Sequence, residues 1–298
     1  MKNRIDLAKR SLTGIAIGDA FGDSFFRERA IVESALENRF IPETEWRYTD
    51  DTIMAIPLLK SLELFGEINQ DFVANQFAQN FLKDRHRGYG PSMHRKLLEF
   101  DVNKNWLEIS KSSFNGTGSM GNGSAMRVAL IGAYFYDDLS KVAEQAKLSS
   151  EITHYNNEAI AGAISVAIAT ALCTKSNELN KEAWLDTIID FTPESDLKYK
   201  IKKIKHLPKS YDIRTIVTAL GNGTKMLAQD TVPIALWNVY HYLGDFEESL
   251  WNTVSALGDR DTTCAIVGGI NMMCSKESCV PKQWGNDVEK WNESIFYK

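Results

Sequence analysis

The amino-acid sequence predicts an all-α fold, a compact orthogonal helical bundle with a central cleft in which residues 1–298 form one domain. Strand signals are scarce, because no alternating run of five or more residues is bounded by turn residues on both sides. No Pro/Gly/Ser-rich linker and no shift in composition divides the chain. Apolar residues recur at three- and four-residue spacing, which predicts helices over 71–82, 124–135, 158–172, 213–227, 232–243 and 246–257.

The composition is that of a globular protein with a large core. Of the 298 residues, 44% are hydrophobic and 24% are charged, which argues against disorder. The net charge of −5 and the lack of a basic stripe argue against nucleic acid or an anionic membrane as a partner. The longest apolar stretch, 159–173, is shorter than the ~20 residues of a membrane span. Since the N-terminus also lacks a signal-peptide core, we expect a cytoplasmic protein, and we expect a monomer.

The four cysteines, Cys173, Cys264, Cys274 and Cys279, show no CxxC spacing. Cys274 and Cys279 are five residues apart with no histidine nearby, which is a weak signal for zinc. We interpret all four as free, buried thiols in a reducing cytosol.

Two adjacent aspartates, Asp50 and Asp51, stand at the head of an apolar run in YTDDTIMAIPLL. Thr49 is placed to cap a helix, with both aspartates in its first turn, where carboxylates favour the positive end of the helix dipole. The pair is explained either by helix capping or by a metal site whose other half lies elsewhere in the chain.

A second carboxylate pair, Asp259 and Asp261, occurs in GDRDTTCAIVGGI. We predict that one helix ends at Gly258 and that Thr262 caps the next. Four carboxylates anchored to buried helix starts would repel one another unless cations neutralised them. Hard oxygen ligands without histidine or cysteine suit Mg²⁺, Mn²⁺ or Ca²⁺. The two segments together predict a site for one or two such ions.

A glycine-rich segment, FNGTGSMGNGSAMRVALIG, begins at Phe114. Gly116, Gly118 and Gly121 spell the dinucleotide-binding pattern GxGxxG, but no hydrophobic strand precedes the pattern and no βαβ unit follows it. The segment is either a flexible connector or a loop of backbone N–H groups that opens onto a helix and binds phosphate or another anion.

A histidine, His154, precedes the alanine-rich run in THYNNEAIAGA. Thr153 is placed to cap a helix, and His154 and Glu158 would then lie one turn apart on one helix face. From these residues alone, His154 is either a structural histidine or a ligand contact.

In this order, the segments resemble the ADP-ribosylglycohydrolase family. The resemblance is carried by GIAIGDAFGDSFF (14–26), YTDDTIMA (48–55), GTGSMGNGSAMR (116–127), THYNNEAIAGA (153–163) and GDRDTTCAIVGGI (258–270). It extends over 14–270, nearly the whole chain. The resemblance implies a compact all-α fold with two Mg²⁺ ions in a cleft, where Mn²⁺ could substitute. It also implies hydrolysis of the glycosidic bond between ADP-ribose and an acceptor, such as an arginine on a protein.

The resemblance also implies roles for individual residues. The implied metal ligands are Thr49, Asp50, Asp51, Asp259, Asp261 and Thr262, with Asp261 between the two ions. The implied substrate-binding residues are Phe114, which faces the adenine, Gly118, Ser119, Gly121, Asn122 and Gly123, which cradle the diphosphate and distal ribose, and His154, which contacts the ligand.

The chain departs from the family pattern at two positions. It reads DRDT where the family usually reads DTDT, so Arg260 stands beside the metal ligands and either binds a phosphate or substrate carboxylate or points to solvent. Phe26 stands where many members carry a glutamate, so the usual acid/base residue is absent from its place. Asp23 and Glu28 are close enough in sequence to replace it, and Asp51, among the metal-site aspartates, is the third catalytic candidate.

We therefore expect a hydrolase that acts on an ADP-ribosylated protein or small molecule. Two alternatives stay open. One is a module that binds ADP-ribose and has lost catalysis, which the residue Phe26 would explain. The other is a metal-dependent phosphoesterase that uses the same four aspartates.

Overall fold

The computed structural model describes residues 3–103, 105–175, 180–276 and 279–297, and over these residues it contains α-helices and no β-strand. The predicted all-α fold is confirmed. The described helices are α1 (Arg4–Asp23), α2 (Arg29–Asn38), α3 (Asp50–Phe65), α4 (Gln70–Lys83), α5 (Pro91–Asn103), α6 (Trp106–Gly116), α7 (Ala129–Tyr134), α8 (Leu139–Glu151), α9 (Asn157–Lys175), α10 (Lys181–Phe191), α11 (Asp196–Lys203), α12 (Ile213–Leu220), α13 (Ala228–His241), α14 (Phe246–Ser255), α15 (Arg260–Cys274) and α16 (Lys282–Asp287).

The six helices predicted from periodicity correspond to α4, α7, α9, α12, α13 and α14, but three of them are shorter than predicted. α7 begins at Ala129 rather than at residue 124, because Asn122–Ser124 forms a 3₁₀ turn instead. α12 ends at Leu220, because Gly221 has a φ of 99° and leaves the helical path. α14 ends at Ser255, three residues before Gly258.

A stripe of glycines on α1 packs against α15 at the centre of the molecule. A Cβ atom on Gly14 would lie 2.4 Å from the carbonyl oxygen of Gly268, and one on Gly18 would lie 2.1 Å from that of Cys264. Because the partner positions run backwards along α15 as α1 advances, the two helices are antiparallel. Only glycine allows this approach, and it brings the C-terminal half of α1 beside the first turn of α15.

α9 is rich in alanine and is buried on nearly all sides, as its composition predicts. It packs against α7, α8, α13 and α15. By length and composition it is the one described helix that could cross a membrane, but 78% of its most apolar window is buried inside the fold. It is therefore a core helix.

All four cysteines are free, as predicted. Cys173 and Cys264 are buried, whereas Cys274 and Cys279 are only partly buried. The prediction of burial is wrong for the last two because both lie at or beyond the end of α15, near the edge of the core.

Candidate active site

A cleft of about 430 Å³ lies between the first turns of α3 and α15 on one side and a glycine-rich loop, residues 118–123, on the other. The candidate residues that line it are Asp50, Asp51, Asp259, Asp261, Thr262, Phe114, Gly118, Ser119, Gly121, Asn122, Gly123 and His154. Residues from four separate parts of the chain thus converge on one cavity.

The first turn of α3 presents Asp50 and Asp51. Thr49 is the N-cap, as predicted, and its side chain accepts a hydrogen bond from the backbone N–H of Asp51. The Thr49 hydroxyl lies 3.0 Å from Asp51 Oδ2 and donates to it. Both aspartates are buried, so their carboxylates face the cleft instead of bulk water.

The first turn of α15 presents Asp261 and Thr262. The predicted cap is wrong: α15 begins at Arg260 with Asp259 as its N-cap, so Thr262 lies inside the helix. Its backbone N–H donates to Asp261 Oδ1 at 2.8 Å, and its hydroxyl lies 3.5 Å from Asp51 Oδ2. The starts of α3 and α15 therefore touch through their side chains.

Asp19 on α1 is a functional candidate that the sequence analysis missed. It is fully buried beneath α3, where its carboxylate accepts hydrogen bonds from the backbone N–H groups of Thr49 and Thr52 and from the Thr52 hydroxyl at 2.6 Å. These bonds fix the start of α3 on α1. The signal was present, because an aspartate inside the apolar run GIAIGDAFG had to be buried and partnered.

The five aspartates lie in surroundings that disfavour their charged forms. Burial raises the pKa of Asp19 to about 7, although the hydrogen bonds it accepts oppose the rise. Burial, followed by the charge of Asp19, raises the pKa of Asp50 to about 8. Burial and the neighbouring carboxylates hold the pKa values of Asp51 and Asp261 well above the ordinary range. Burial also raises the pKa of Asp259. A bound cation would relieve this repulsion.

The chemistry of these donors fits a hard divalent cation. Asp51 Oδ1 is buried and accepts no hydrogen bond from the described residues, although Oδ2 of the same carboxylate does. A buried polar atom without a partner is rare and calls for a ligand such as a cation. Within the described ranges, no three Asp, Glu, His or Cys side chains are already gathered as a ready metal-binding set.

The glycine-rich loop is tied to the carboxylates through Asn122. Its side-chain amide donates to Asp259 Oδ2 at 2.6 Å and to the Thr231 hydroxyl at 3.0 Å. A short bridge pairs Gly121 with Leu227 and holds the loop against the segment before α13. The loop is therefore bonded into the fold on both sides, which argues against a flexible connector.

The second GNG sequence, residues 221–223, holds the same aspartate from the other side. The carbonyl oxygen of Asn222 accepts a hydrogen bond from the backbone N–H of Asp259 at 3.1 Å. A Cβ atom on Gly223 would lie 2.5 Å from the Asp259 Cβ. Both GNG sequences thus position Asp259. The repeat of GNG in the sequence did not predict this shared role.

Exposed apolar side chains form the mouth of the cleft. Phe114 is 57% exposed, Met226 is 49% exposed, and each has a φ of 54°, an uncommon backbone conformation for such residues. Met120, also exposed, lies on the loop between them. Strain of this kind concentrates at binding sites.

His154 lies beneath the glycine-rich loop, but not on a helix. α9 begins at Asn157, so the prediction that Thr153 caps it and that His154 shares a helix face with Glu158 is wrong. The Asn156 side chain accepts from the first turn instead, and the Glu158 carboxylate accepts from the backbone of α11.

The acid/base candidates Asp23 and Glu28 do not line the cavity, nor does Arg260. Asp23 is the last residue of α1, and Glu28 is exposed at the start of α2. Arg260 donates a hydrogen bond to the carbonyl oxygen of Phe25, and its guanidinium carbon lies 4.9 Å from the centre of the Phe26 ring. The two departures from the family pattern therefore contact each other.

Comparison with known sequences gives relatives along nearly the whole chain. The family model described as ADP-ribosylglycohydrolase matches residues 1–296. ADP-ribosylhydrolase ARH3 of Homo sapiens is 28% identical in an alignment over 331 residues that covers 95% of this chain and 89% of the relative. ADP-ribosylhydrolase ARH3 of Bos taurus is 30% identical over 283 residues, covering 83% and 75%. ADP-ribosylarginine hydrolase Tri1 of Pseudomonas putida (strain GB-1) is 24% identical over 297 residues, covering 98% and 76%.

A solved structure, an ADP-ribosylglycohydrolase-related protein complex, is similar to this chain with a TM-score of 0.71. The match covers 97% of this chain and 94% of that chain. At 20% identity, the likeness establishes a shared fold.

Proposed function

Since this chain belongs to the ADP-ribosylglycohydrolase family, we propose that it is a divalent-metal-dependent hydrolase that cleaves the glycosidic bond between ADP-ribose and an acceptor. Relatives named ADP-ribosylhydrolase and ADP-ribosylarginine hydrolase support an enzyme that hydrolyses ADP-ribose linkages. ADP-ribosylated arginine on a protein is the acceptor that we propose, and Mg²⁺ is the ion, with Mn²⁺ as a substitute. Action as a cytoplasmic monomer stays a prediction.

The observation that carries this proposal is the pairing of two chemistries in one cavity. One end of the cleft gathers aspartates whose charges repel, and the other is a glycine-rich loop with a polar, partly exposed backbone. ADP-ribose matches that division, because its diphosphate suits backbone N–H donors and its ribose hydroxyls suit a cation held by carboxylates.

We assign the cation to Thr49, Asp50, Asp51, Asp259, Asp261 and Thr262. When bound, Mg²⁺ would orient the ribose next to the acceptor and stabilise charge that develops there. Asp19 holds the start of α3 by accepting from Thr49 and Thr52, and Asn122 holds Asp259. These residues keep the carboxylates in place before the substrate arrives, which is the preorganisation that catalysis requires.

One observation favours a second candidate, a module that binds ADP-ribose without cleaving it. Phe26 replaces the usual glutamate, and Arg260 lies across its ring, so that position offers no carboxylate. Asp23 and Glu28 also lie outside the lining of the cleft. Binding without turnover would follow if neither reaches the substrate.

Incubation of the purified protein with an ADP-ribosyl-arginine peptide and Mg²⁺, with products identified by mass spectrometry, separates the candidates. Free ADP-ribose with an intact diphosphate supports the hydrolase. AMP together with a peptide that keeps ribose phosphate on its arginine identifies a phosphoesterase, and tight binding of ADP-ribose without products identifies a binding module. A panel of serine-linked, nucleobase-linked and small-molecule acceptors then defines the acceptor.

A further inference from the structure

The turn that carries His154 is held rigidly between α8 and α9. The His154 backbone N–H donates to the carbonyl oxygen of Ser150 at 2.8 Å, and the Ser150 hydroxyl donates to the His154 carbonyl oxygen at 3.0 Å. Two buried cations hold the preceding residue: Lys96 donates to the Thr153 carbonyl oxygen, and Arg127 donates to the Thr153 hydroxyl oxygen at 2.9 Å.

Arg127 is fixed from several directions. It is fully buried, it donates to the carbonyl oxygen of Ser149 at 2.9 Å, and its guanidinium carbon lies 4.5 Å from the centre of the Phe77 ring. No carboxylate among the described residues forms an ion pair with it. Its hydrogen bonds to Ser149 and Thr153 are therefore its main polar anchors.

The hydroxyl of Thr153 links Arg127 to the imidazole of His154. Its oxygen lies 2.7 Å from His154 Nδ1, and these two side chains are its only hydrogen-bond partners among the described residues. A guanidinium only donates, so the hydroxyl oxygen accepts from Arg127 and its proton needs an acceptor. Nδ1 supplies that acceptor. The opposite arrangement, with Nδ1 protonated, would leave the hydroxyl proton buried without a partner.

The surroundings of the ring also favour its neutral form. Burial, Lys96 and Arg127 together lower the pKa of His154 well below its ordinary value. A neutral imidazole that accepts at Nδ1 carries its proton on Nε2. That nitrogen lies under the glycine-rich loop, 3.0 Å from a Cβ atom built on Gly121 and 3.1 Å from one on Gly123.

We propose that Arg127 and Thr153 are positioning residues that fix His154 as the Nε2–H tautomer, so that the ring donates a hydrogen bond to an oxygen of the ligand in the cleft. This inference rests on the proposed function for the ligand, ADP-ribose, but the tautomer itself is a property of the ligand-free protein. Such a donor favours a ligand that places an anionic or hydroxyl oxygen against Nε2–H. It disfavours a ligand that places an N–H donor at the same position.

The tautomer is measured directly by ¹⁵N NMR of the protein labelled at its five histidines, with His154→Gln assigning the signal. We expect the ligand-free parent to show a protonated Nε2 and a bare Nδ1 near neutral pH. A protonated Nδ1, or an imidazolium, overturns the proposal whatever the variants do.

Two variants of Thr153 test the link. Thr153→Ser keeps the hydroxyl and should keep both the Nε2–H signal and the affinity for ADP-ribose. Thr153→Val removes the donor at nearly constant volume, and we expect a mixture of tautomers and a Kd for ADP-ribose weaker by about 3- to 10-fold in calorimetry. An unchanged tautomer in a folded Thr153→Val protein overturns the proposal. If the parent shows the Nε2–H tautomer but binds no ADP-ribose, the proposed function fails, while the positioning of His154 by Arg127 and Thr153 stands.

Discussion

The candidate site contains carboxylates whose burial lowers the stability of the fold. Asp19 and Asp51 are almost completely buried, and each is surrounded by other carboxylates. Hydrogen bonds from α3 offset the cost of burying the Asp19 carboxylate. The Asp51 carboxylate, in contrast, has one oxygen without a partner among the described residues. Buried groups with shifted pKa values of this kind mark functional sites, so the cost in stability points to a ligand.

Replacement of Asp51 by Asn removes a buried ionisable group at constant volume. In a chelator we expect Asp51→Asn to unfold at a temperature at least about 2 °C above the parent, because the fold no longer has to bury or protonate that carboxylate. In Mg²⁺ the order should reverse, since binding to the native state stabilises the parent and not the variant. Calorimetric melting with and without EDTA measures both effects. The control is Asp6→Asn at an exposed position, which should follow the parent. A parent whose melting ignores Mg²⁺ and Mn²⁺ would contradict the metal proposal.

Lys96 makes stability depend on pH in the alkaline range. Burial lowers its pKa to about 8, from 10.5 in the unfolded chain. Between these values the unfolded chain holds a proton that the folded protein has released, so the free energy of unfolding should rise with pH. We expect Lys96→Met to lose about 1–3 kcal/mol of that rise. Urea denaturation of parent and variant at pH 7.5 and pH 10 gives the difference between the two slopes. The same pH dependence in the two proteins would show that the folded state does not lower the pKa of Lys96.

The helices that present the carboxylates owe their positions to α1. The glycine stripe on α1 lets α15 approach to backbone contact, and Asp19 on the same helix bonds to the start of α3. One helix thus sets the distance between the two carboxylate pairs.

The sequence predicted the start of α3 and missed α1. Thr49, Asp50 and Asp51 carry local capping chemistry that can be read without knowing the fold. α1 does have a capping residue, because the Asn3 side chain accepts from the backbone N–H of Ile5. Its glycines lower helix propensity, however, and its burial on nearly all sides removes the amphipathic period. Its stability comes from contact with α15, which a local pattern does not contain. The burial of Asp19 could be read from its apolar neighbours, but its role could not, since its partners lie 30 or more residues away.

Gly18→Ala tests the contact between α1 and α15. The added methyl group would lie 2.1 Å from a backbone carbonyl oxygen, which no side-chain rotation can relieve. We expect a loss of about 3 kcal/mol or more in the free energy of unfolding. The matched control is Gly285→Ala in α16, where no atom of the described residues lies within 4 Å of the new atom, and we expect a change within about 0.5 kcal/mol. Denaturant unfolding compares them, and equal stability of the two variants would refute the close packing.

Over the whole molecule, the cleft forms where parts of the chain that are far apart in sequence meet. The carboxylates come from α3 and α15, the glycine-rich loop from residues 118–123, and the supports of Asp259 from both GNG sequences. The motifs could be read in order from the sequence, but their mutual distances depend on the complete fold. Phe26, at the position where many family members carry a glutamate, is the clearest case. It contacts Arg260 in the fold, although the two residues are far apart in the sequence.

Asp23 is the acid/base candidate that the whole arrangement favours over Glu28, although neither lines the cleft. Asp23 lies one turn beyond Asp19 on the same side of α1, and burial raises its pKa, as suits an acid/base group. Glu28 is exposed at the start of α2. A general acid or base contributes ~10²–10⁴-fold to a rate. We therefore expect Asp23→Asn to lower kcat by at least about 100-fold with Mg²⁺ affinity unchanged, and we expect the control Glu28→Gln to retain kcat within about 2-fold. Steady-state kinetics on ADP-ribosyl-arginine, with Mg²⁺ binding followed by calorimetry, separates the two effects.

If both variants keep the parental kcat, Asp23 is not the base and Asp51 or Asp50 takes that role. If the parent turns over no acceptor while it binds ADP-ribose, the protein is a binding module, because Phe26 has removed the carboxylate that the chemistry needs.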